Sequence, residues 1–222
     1  MILAGVDGYK NGWVVIWDCN GTTSVECVDD LQDILERKPQ IAIVDIPIGL
    51  LEIGTREADD RARGFLKKRS CCVFTAPTRP MLECDSYDLA AQCRRRIEGK
   101  SITKQAWAIF PKIKEADRLL TPELQQTVRE GHPEVSFAMM NSGTPLAESK
   151  HTSAGQQARI KLLRASFPNV EPSLEQNRKM RKDVIDAYAM LWTARRVSGG
   201  SALALPQNSV IDVCGLSMQI WA

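Results

Sequence analysis

The sequence predicts a single α/β domain whose mixed sheet has three antiparallel strands followed by parallel strands. Three observations lead to this prediction. Apolar segments separated by short turns open the chain, one further apolar segment follows a short helical pattern, and the middle of the chain then changes to a helical period. A chain of 222 residues is long enough to bury such a core. We therefore expect residues 1–222 to form one domain.

The beginning of the chain predicts three consecutive antiparallel strands. Residues 2–7 are apolar and end on an acid, and residues 13–19 are rich in aromatic and β-branched side chains. Residues 8–12 between them predict a turn, because their glycines and asparagine accept a positive φ. The Asn-Gly pair at 20–21 is a strong hairpin signal, and it leads into a third strand over residues 22–28.

The fourth strand is predicted to be parallel and buried. A short helix over residues 30–37, capped by Asp29 or Asp30, precedes it. The following segment, residues 40–47, is almost entirely apolar, which is typical of a strand covered on both faces. It also ends on an acid, Asp45, before Pro47 removes a donor from the hydrogen-bonded ladder.

The remainder of the chain predicts mainly helices. Residues 54–125 are charged, rich in arginine and helical in period, and we interpret them as a helical insertion between two strands of the sheet. A short strand, three helices and a final strand pattern in two pieces follow, over residues 127–130, 135–140, 152–167, 184–197, 210–213 and 218–221.

Composition excludes several classes of protein. The chain has 29 Lys+Arg against 27 Asp+Glu, and a net charge of +2 is too small to indicate a nucleic-acid or membrane partner by itself. No apolar run approaches the roughly 18 residues that a spanning helix needs, and no signal-peptide pattern is present. Seven cysteines without a Cys-x-x-Cys pair argue against structural zinc and agree with a reducing compartment. We expect a cytoplasmic protein without a membrane partner.

Four aspartates are the main candidates for chemistry. Asp7 and Asp45 each end an apolar strand, where open α/β sheets build their sites. Asp183 and Asp186 are three residues apart, so a helix places them on one face. Buried carboxylates close to one another are costly unless a cation lies between them. If this helix face meets the sheet edge, the four acids form a hard-oxygen site suited to Mg²⁺ or Mn²⁺.

The same residues also allow a structural interpretation. An aspartate at a strand end often forms a turn, and acids in the first turn of a helix are favoured by the helix dipole. The Glu-Gly-His-Pro-Glu segment at 130–134 likewise allows both a functional and a structural interpretation. His132 is a candidate general base and Glu134 a candidate further metal ligand. Alternatively, Pro133 and Glu134 simply begin a helix.

A set of motifs along the chain matches a known family in consistent order. The motifs are Gly5-Val-Asp-Gly8 with Asn11-Gly-Trp13, Asp45-Ile-Pro-Ile-Gly-Leu50, Arg56-x-x-Asp59-x-x-Ala62-Arg63, Phe74-x-x-Pro77-x-Arg79, Gln105-Ala-Trp107, Pro111-Lys-Ile-x-Glu115-x-Asp117, Glu130-x-His132-Pro-Glu134-x-x-Phe137 and Asp183-x-x-Asp186-Ala187. Through them the chain resembles the domain-of-unknown-function family numbered 429, described as predicted nucleases of ribonuclease H-like fold. The resemblance implies that fold and a nuclease activity.

Within that fold, the late Asp-x-x-Asp-Ala segment is similar to the helix of RuvC-type Holliday-junction resolvases. The resemblance implies that Asp7 and Asp45 are the strand acids and that Asp183 and Asp186 are the helical acids, all around divalent metals. Two ions bridged by Asp7 would lie about 4 Å apart and support an in-line displacement at phosphorus. Two positions depart from the pattern. The second strand acid is usually glutamate, and many family members carry an acid where this chain has Lys182.

The resemblance also implies a nucleic acid or nucleotide as substrate. Basic residues of the first turn and of the insertion are the candidates for contacting its phosphates. These candidates are Lys10, Arg56, Arg63, Arg79 and Lys112. Because RuvC-like enzymes act on two strands, a homodimer is also implied.

Two other functions remain open at this point. One is a non-catalytic module that binds a nucleotide or nucleic acid. The other is a phosphotransferase of the sugar-kinase and actin type, whose phosphate-binding hairpin resembles residues 5–12, although the chain has neither a duplication nor a second glycine-rich loop. A nuclease predicts that Asp7, Asp45 and Asp186 converge at a point that solvent reaches. A binding module could leave them apart or capped by a lysine such as Lys182.

Overall fold

The structure, a computed structural model, describes residues 1–222 and contains a five-stranded mixed sheet. The strands lie in the order β3-β2-β1-β4-β5. Their bounds are β1 Ile2–Tyr9, β2 Gly12–Cys19, β3 Thr22–Val28, β4 Ile41–Val44 and β5 Val128–Glu130. The first three are antiparallel, whereas β4 is parallel to β1 and β5 is parallel to β4. This arrangement confirms the predicted α/β class, and its order and directions are those of a ribonuclease H-like sheet.

The first turn is shorter than the sequence predicts. Gly8 pairs with Trp13 and Tyr9 pairs with Gly12, so only Lys10 and Asn11 connect the two strands. Lys10 has a φ of +49°, which allows a two-residue connection. As a result, β1 continues past Asp7, and this residue lies within the strand and not at its end.

Helices cover both faces of the sheet. Their bounds are α1 Leu31–Glu36, α2 Glu57–Leu66, α3 Tyr87–Glu98, α4 Lys104–Ala108, α5 Phe110–Leu119, α6 Pro133–Met140, α7 Ser153–Arg164, α8 Val170–Gln176 and α9 Arg181–Ser198. Residues 54–125 contain α2 to α5 with short 3₁₀ turns and no strand. None of the helices combines the length and the apolar character that crossing a membrane requires.

Alternation along the strands separates two apolar cores. Leu3 and Ile43 face the core that contains α9, with Ile185, Tyr188 and other buried side chains of that helix. Val6 and Val44 face the opposite core, which also contains residues of α1 and α5. Because α5 belongs to this second core, the end of the helical segment is part of the layer that covers the sheet.

The C-terminal strands form a separate hairpin. The strands β6 Ala204–Ile211 and β7 Ser217–Trp221 are antiparallel, and an isolated bridge joins Trp221 to Gly131 just beyond β5. The sequence predicted strands over 210–213 and 218–221, which overlap only the last two residues of β6 and most of β7. Helix α8 was not predicted, because it is only seven residues long and contains Pro172.

Candidate functional site

The contact between α9 and β1 places a helical acid beside the strand acids. A Cβ added at Gly5 would lie 2.1 Å from the backbone N of Leu191 and 2.2 Å from the carbonyl O of Ala187. No side chain fits at such a distance, so glycine is required for the helix backbone to lie directly on the strand. This close approach brings the first turns of α9, which carry Asp183 and Asp186, to the region where β1 passes Asp7.

Asp7 and Asp45 lie side by side on the sheet. Val6 is in register with Val44 in the parallel pair, and the Asp45 N–H donates a hydrogen bond to the Val6 carbonyl at 3.0 Å. Both aspartates therefore follow residues of the α1 and α5 face, and alternation turns their side chains towards α9. The Gly8 N–H donates to Oδ1 of Asp7 at 2.7 Å.

Asp186 forms an ion pair that the sequence did not reveal. The residue is 2% exposed, and Nζ of Lys150 donates to its Oδ2 at 2.6 Å. Its Oδ1 is buried and has no hydrogen-bond partner. Lys150 lies between α6 and α7, in a segment without regular structure or periodic pattern. No signal in the sequence could have identified it.

The electrostatics show that the strand acids share one site with Asp186. Burial raises the pKa of Asp7 well above its usual range, and the negative charges of Asp45 and Asp186 raise it further. Burial also raises the pKa of Asp45 to about 7, an effect that the positive charge of Lys150 opposes and the charges of Asp186 and Glu134 reinforce. These carboxylates are close enough to repel one another, although burial is the larger cause of both pKa shifts, and Lys150 is the one positive charge that acts on both strand acids.

Asp183 belongs to the edge of the same cluster. It is partly exposed in the first turn of α9, and burial together with the charge of Asp186 raises its pKa. The charge of Asp186 is in turn the main reason why the pKa of Lys150 is raised, and Asp45 and Asp7 contribute in the same direction. We call Asp7, Asp45, Asp183 and Asp186 the acid cluster. Lys150 is the lysine that contacts the acid cluster, through Asp186, whereas Lys182 is exposed.

A cleft of about 590 Å³ opens above this cluster. Asp7, Asp45, Asp183 and Lys150 line it, together with the 130–134 segment, the Arg69–Phe74 stretch and residues of α4 and α5. Asp186 lies behind this lining. The cleft therefore gives ligands access to both strand acids, and its volume lies within the range of small-molecule pockets.

The 130–134 segment begins a helix, as the structural interpretation predicted. Pro133 occupies the first turn of α6, and Glu134 is a buried acid in that turn. Nη2 of Arg159 donates to Oε1 of Glu134 at 2.6 Å, and this guanidinium is fully buried. Glu134 therefore already has a strong cationic partner, although it lines the cleft.

His132 lines the cleft and has one ring nitrogen without a hydrogen-bond partner. Its Nε2 lies 3.3 Å from the carbonyl O of Cys72, an acceptor, so Nε2 carries the proton in this contact. Nδ1 is buried without a partner, and burial lowers the pKa of the imidazole. A neutral imidazole with a free acceptor nitrogen has the chemistry that a general base requires.

The basic candidates separate into two groups. Lys10 and Lys112 line the cleft next to Asp7. The stem of Lys112 lies against Gly8, where an added Cβ would be 2.8 Å from its Cε, and its Nζ donates to the carbonyl of Gly12. Desolvation lowers the pKa of Lys112. Both lysines therefore lie on the wall of the cleft.

The three arginines hold the structure together. Arg56 lines the cleft but is 2% exposed and bonded to Asp59 and Glu130. Arg79 binds Asp117 at 2.7 Å and Asp212 at 2.6 Å. Arg63 pairs with Asp60 at 2.9 Å and donates to Thr75. Neither Arg63 nor Arg79 lies on the cleft.

The donor chemistry of the acid cluster fits a hard divalent cation. All its ligating atoms are carboxylate oxygens, one of them the buried, unpartnered Oδ1 of Asp186. Repulsion among the acids is what a bound cation would relieve. No group of three or more His, Cys, Asp or Glu side chains is already arranged to hold a metal. All seven cysteines are free thiols, so no disulfide joins Cys19 to Cys27.

Fold and site together define an α/β domain of ribonuclease H-like architecture with an acidic cleft at its parallel strand ends. Residues 5–210 match a family described as "Protein of unknown function (DUF429)". The chain belongs to this family, as the motifs predicted. Comparisons with curated proteins and with solved structures give no match.

Proposed function

We propose that this protein is a divalent-metal-dependent phosphodiester hydrolase that acts on a nucleotide or nucleic acid. The observation that carries the proposal is the grouping of three acids from separate elements: Asp7 and Asp45 line an accessible cleft, and Asp186, with an unpartnered oxygen, lies directly behind them. Structural carboxylates are normally satisfied by hydrogen bonds or by matched cations. An acid cluster short of positive charge is typical of a cation site.

Each element of the cleft has a role in this function. Asp7, Asp45 and Asp186 would hold Mg²⁺ or Mn²⁺, with Asp183 at the edge of the site. A divalent cation bound there would stabilise charge on the phosphoryl oxygens and supply a nucleophile at neutral pH. Lys10 and Lys112 would bind and orient the phosphate above Asp7. Nδ1 of His132 is buried without a partner, and a movement of the side chain that exposes it would let it accept a proton from the attacking water.

One observation favours a second candidate, a non-catalytic binding module. A lysine does meet the acid cluster, although it is Lys150 and not Lys182. Such a cation neutralises part of the cluster without any metal. The same cleft would then bind an anionic ligand through Lys10 and Lys112 without reacting with it.

Hydrolysis assays on Asp variants test the proposal. The wild-type protein should hydrolyse bis(p-nitrophenyl) phosphate or a fluorescent oligonucleotide with Mn²⁺ and not with EDTA. Asp7→Asn and Asp186→Asn should each reduce kcat/KM by about 100-fold or more, because several kcal/mol of charge stabilisation are lost. Asp7→Asn should not lower the melting temperature, because it removes a repelling charge, whereas Asp186→Asn also takes the partner of Lys150 away, so circular dichroism must show that this variant is folded. Asp60→Asn, an exposed change in α2, is the matched control. Activity equal to that of the wild type in both Asp7→Asn and Asp186→Asn would overturn the assignment.

A further inference from the structure

The cation that meets the acid cluster is part of the chain itself. Lys150 reaches Asp186 from a segment that connects two helices, across 36 residues of sequence, and its Nζ lies 2.6 Å from Oδ2. The carboxylate it contacts is 3% exposed. An ammonium group fixed on a buried carboxylate at this distance forms a strong charge-assisted hydrogen bond. Oδ2 of Asp186 is therefore engaged, and only Oδ1 is free.

The ammonium group of Lys150 lies where a second metal ion would bind to Asp186. A second ion held by Asp186, such as Mg²⁺, would have to approach one of its oxygens to about 2.0–2.1 Å. Nζ of Lys150 already occupies that side of Asp186 and carries a positive charge. A divalent ion on the same oxygen would repel the ammonium group at very short range. Lys150 and a second ion thus exclude one another.

The charge balance of the site also indicates one divalent ion and not two. Asp7, Asp45 and Asp186 carry three negative charges when ionised, and Lys150 supplies one positive charge beside Asp186. Asp183 lies at the partly exposed edge of the cluster, where water screens its charge, so it is left out of this count. The remaining charge of −2 matches one divalent cation. Two ions with Lys150 in place would leave the three carboxylates and their cations with an excess of positive charge. Asp7, Asp45 and the free Oδ1 of Asp186 are the oxygens left for that single ion.

We propose that Lys150 replaces one of the two cations of the site, so that the protein binds a single divalent ion. The proposal rests on the proposed function for the presence of a metal, and it adds that the ammonium group of Lys150 is the second positive centre. In this position Lys150 faces the cleft, with 37% of its side chain exposed, and its free N–H groups are available to a phosphate oxygen.

Counting bound Mn²⁺ tests this inference without an activity assay. Titration followed by electron paramagnetic resonance, with native mass spectrometry as a second count, should give one Mn²⁺ per wild-type chain. Lys150→Met should bind two, because the position on Asp186 becomes vacant. Lys150→Arg should keep one, because the charge is retained. Lys182→Met removes an exposed positive charge next to Asp183 and should also keep one.

Every outcome of this experiment decides the inference. Two ions, or none, in the wild-type protein would overturn it, and so would the same count in the wild type and Lys150→Met. If Lys150→Met fails to fold, Lys150→Gln and the wild-type count still test it. One bound ion without any hydrolysis would refute the hydrolase function and leave the count standing. Hydrolysis with two bound ions would refute the count and leave the function standing.

Discussion

Two groups of carboxylates lie at the same cleft, and they differ in how their charges are satisfied. Arg56, Asp59 and Glu130 form a closed network. Both oxygens of Glu130 accept from Arg56, one of them also accepts from the Ile48 N–H, and the second oxygen of Asp59 accepts from the Ala76 N–H. In the acid cluster, one ammonium group faces several carboxylates, and Oδ1 of Asp186 has no partner.

The comparison separates a structural role from a functional one. The arginine network connects β5 to α2 and to the chain after β4, so its charges stabilise the walls of the cleft. In the acid cluster, burial raises the pKa values of Asp7 and Asp45, and the neighbouring carboxylates raise them further. The acids of the arginine network are buried and fully bonded, whereas in the acid cluster only Asp186 is buried and the other three carboxylates are half-buried. The supply of hydrogen bonds and opposite charge is the main difference between the two groups.

Breaking the arginine network should give the largest change in stability. Arg56→Met leaves Glu130 and Asp59 buried without their cation, and we expect the free energy of unfolding to fall by about 3–5 kcal/mol. Urea denaturation followed by circular dichroism measures this value. Arg56→Lys keeps the charge but loses the paired hydrogen bonds, so its free energy of unfolding should lie between those of the wild type and Arg56→Met. A loss below about 1 kcal/mol in Arg56→Met would show that the network is not structural.

Removing a carboxylate from the acid cluster should have a smaller effect with the opposite sign, and it should depend on pH. The folded pKa of Asp45 is raised to about 7, so the folded state holds a proton that the unfolded state loses near pH 4. The stability of the metal-free protein should therefore fall as the pH rises from about 4 to 7. Asp45→Asn abolishes this loss, and at pH 8 the variant should be more stable than the wild type by more than about 1 kcal/mol.

Urea denaturation in EDTA at several pH values measures this difference. Asp85→Asn makes the same chemical change at an exposed position and should follow the wild-type profile. If the wild type and Asp45→Asn give parallel curves between pH 4 and 8, Asp45 does not lie in a self-repelling cluster, and the contrast with the arginine network is lost.

An exposed ion pair on the same helix as the arginine network should give the smallest effect. Arg61 pairs with Glu57 at 2.8 Å on the surface of α2, four residues apart. We expect Arg61→Ala to change the free energy of unfolding by about 0.5 kcal/mol or less, because water screens such pairs. Parallel urea denaturation of Arg61→Ala and Arg56→Met makes the comparison. A large loss in Arg61→Ala would mean that burial is not what makes Arg56 important.

The fold could be predicted where local patterns are strong. Alternation, turn residues and apolar runs predicted the bounds of the five strands of the sheet to within a few residues. Asp30, one of the two predicted N-caps, begins α1 through a capping box with Asp33. Short elements were the least predictable. Helix α8 and the first half of β6 carry no strong period, and packing against the rest of the chain stabilises them.

The sequence by itself determined which acids follow apolar strand residues and which share a helix face, because strand alternation and helix periodicity are local properties. Only the tertiary structure decided which partners those acids meet. Lys150 and Asp186 are 36 residues apart and Arg56 and Glu130 are 74 apart, and nothing in a local pattern connects them. Gly5 made the first of these meetings possible, since only glycine lets α9 lie directly on β1. The packing of α9 on β1, and not the identity of the acids, therefore decides which charged side chains lie together at the cleft.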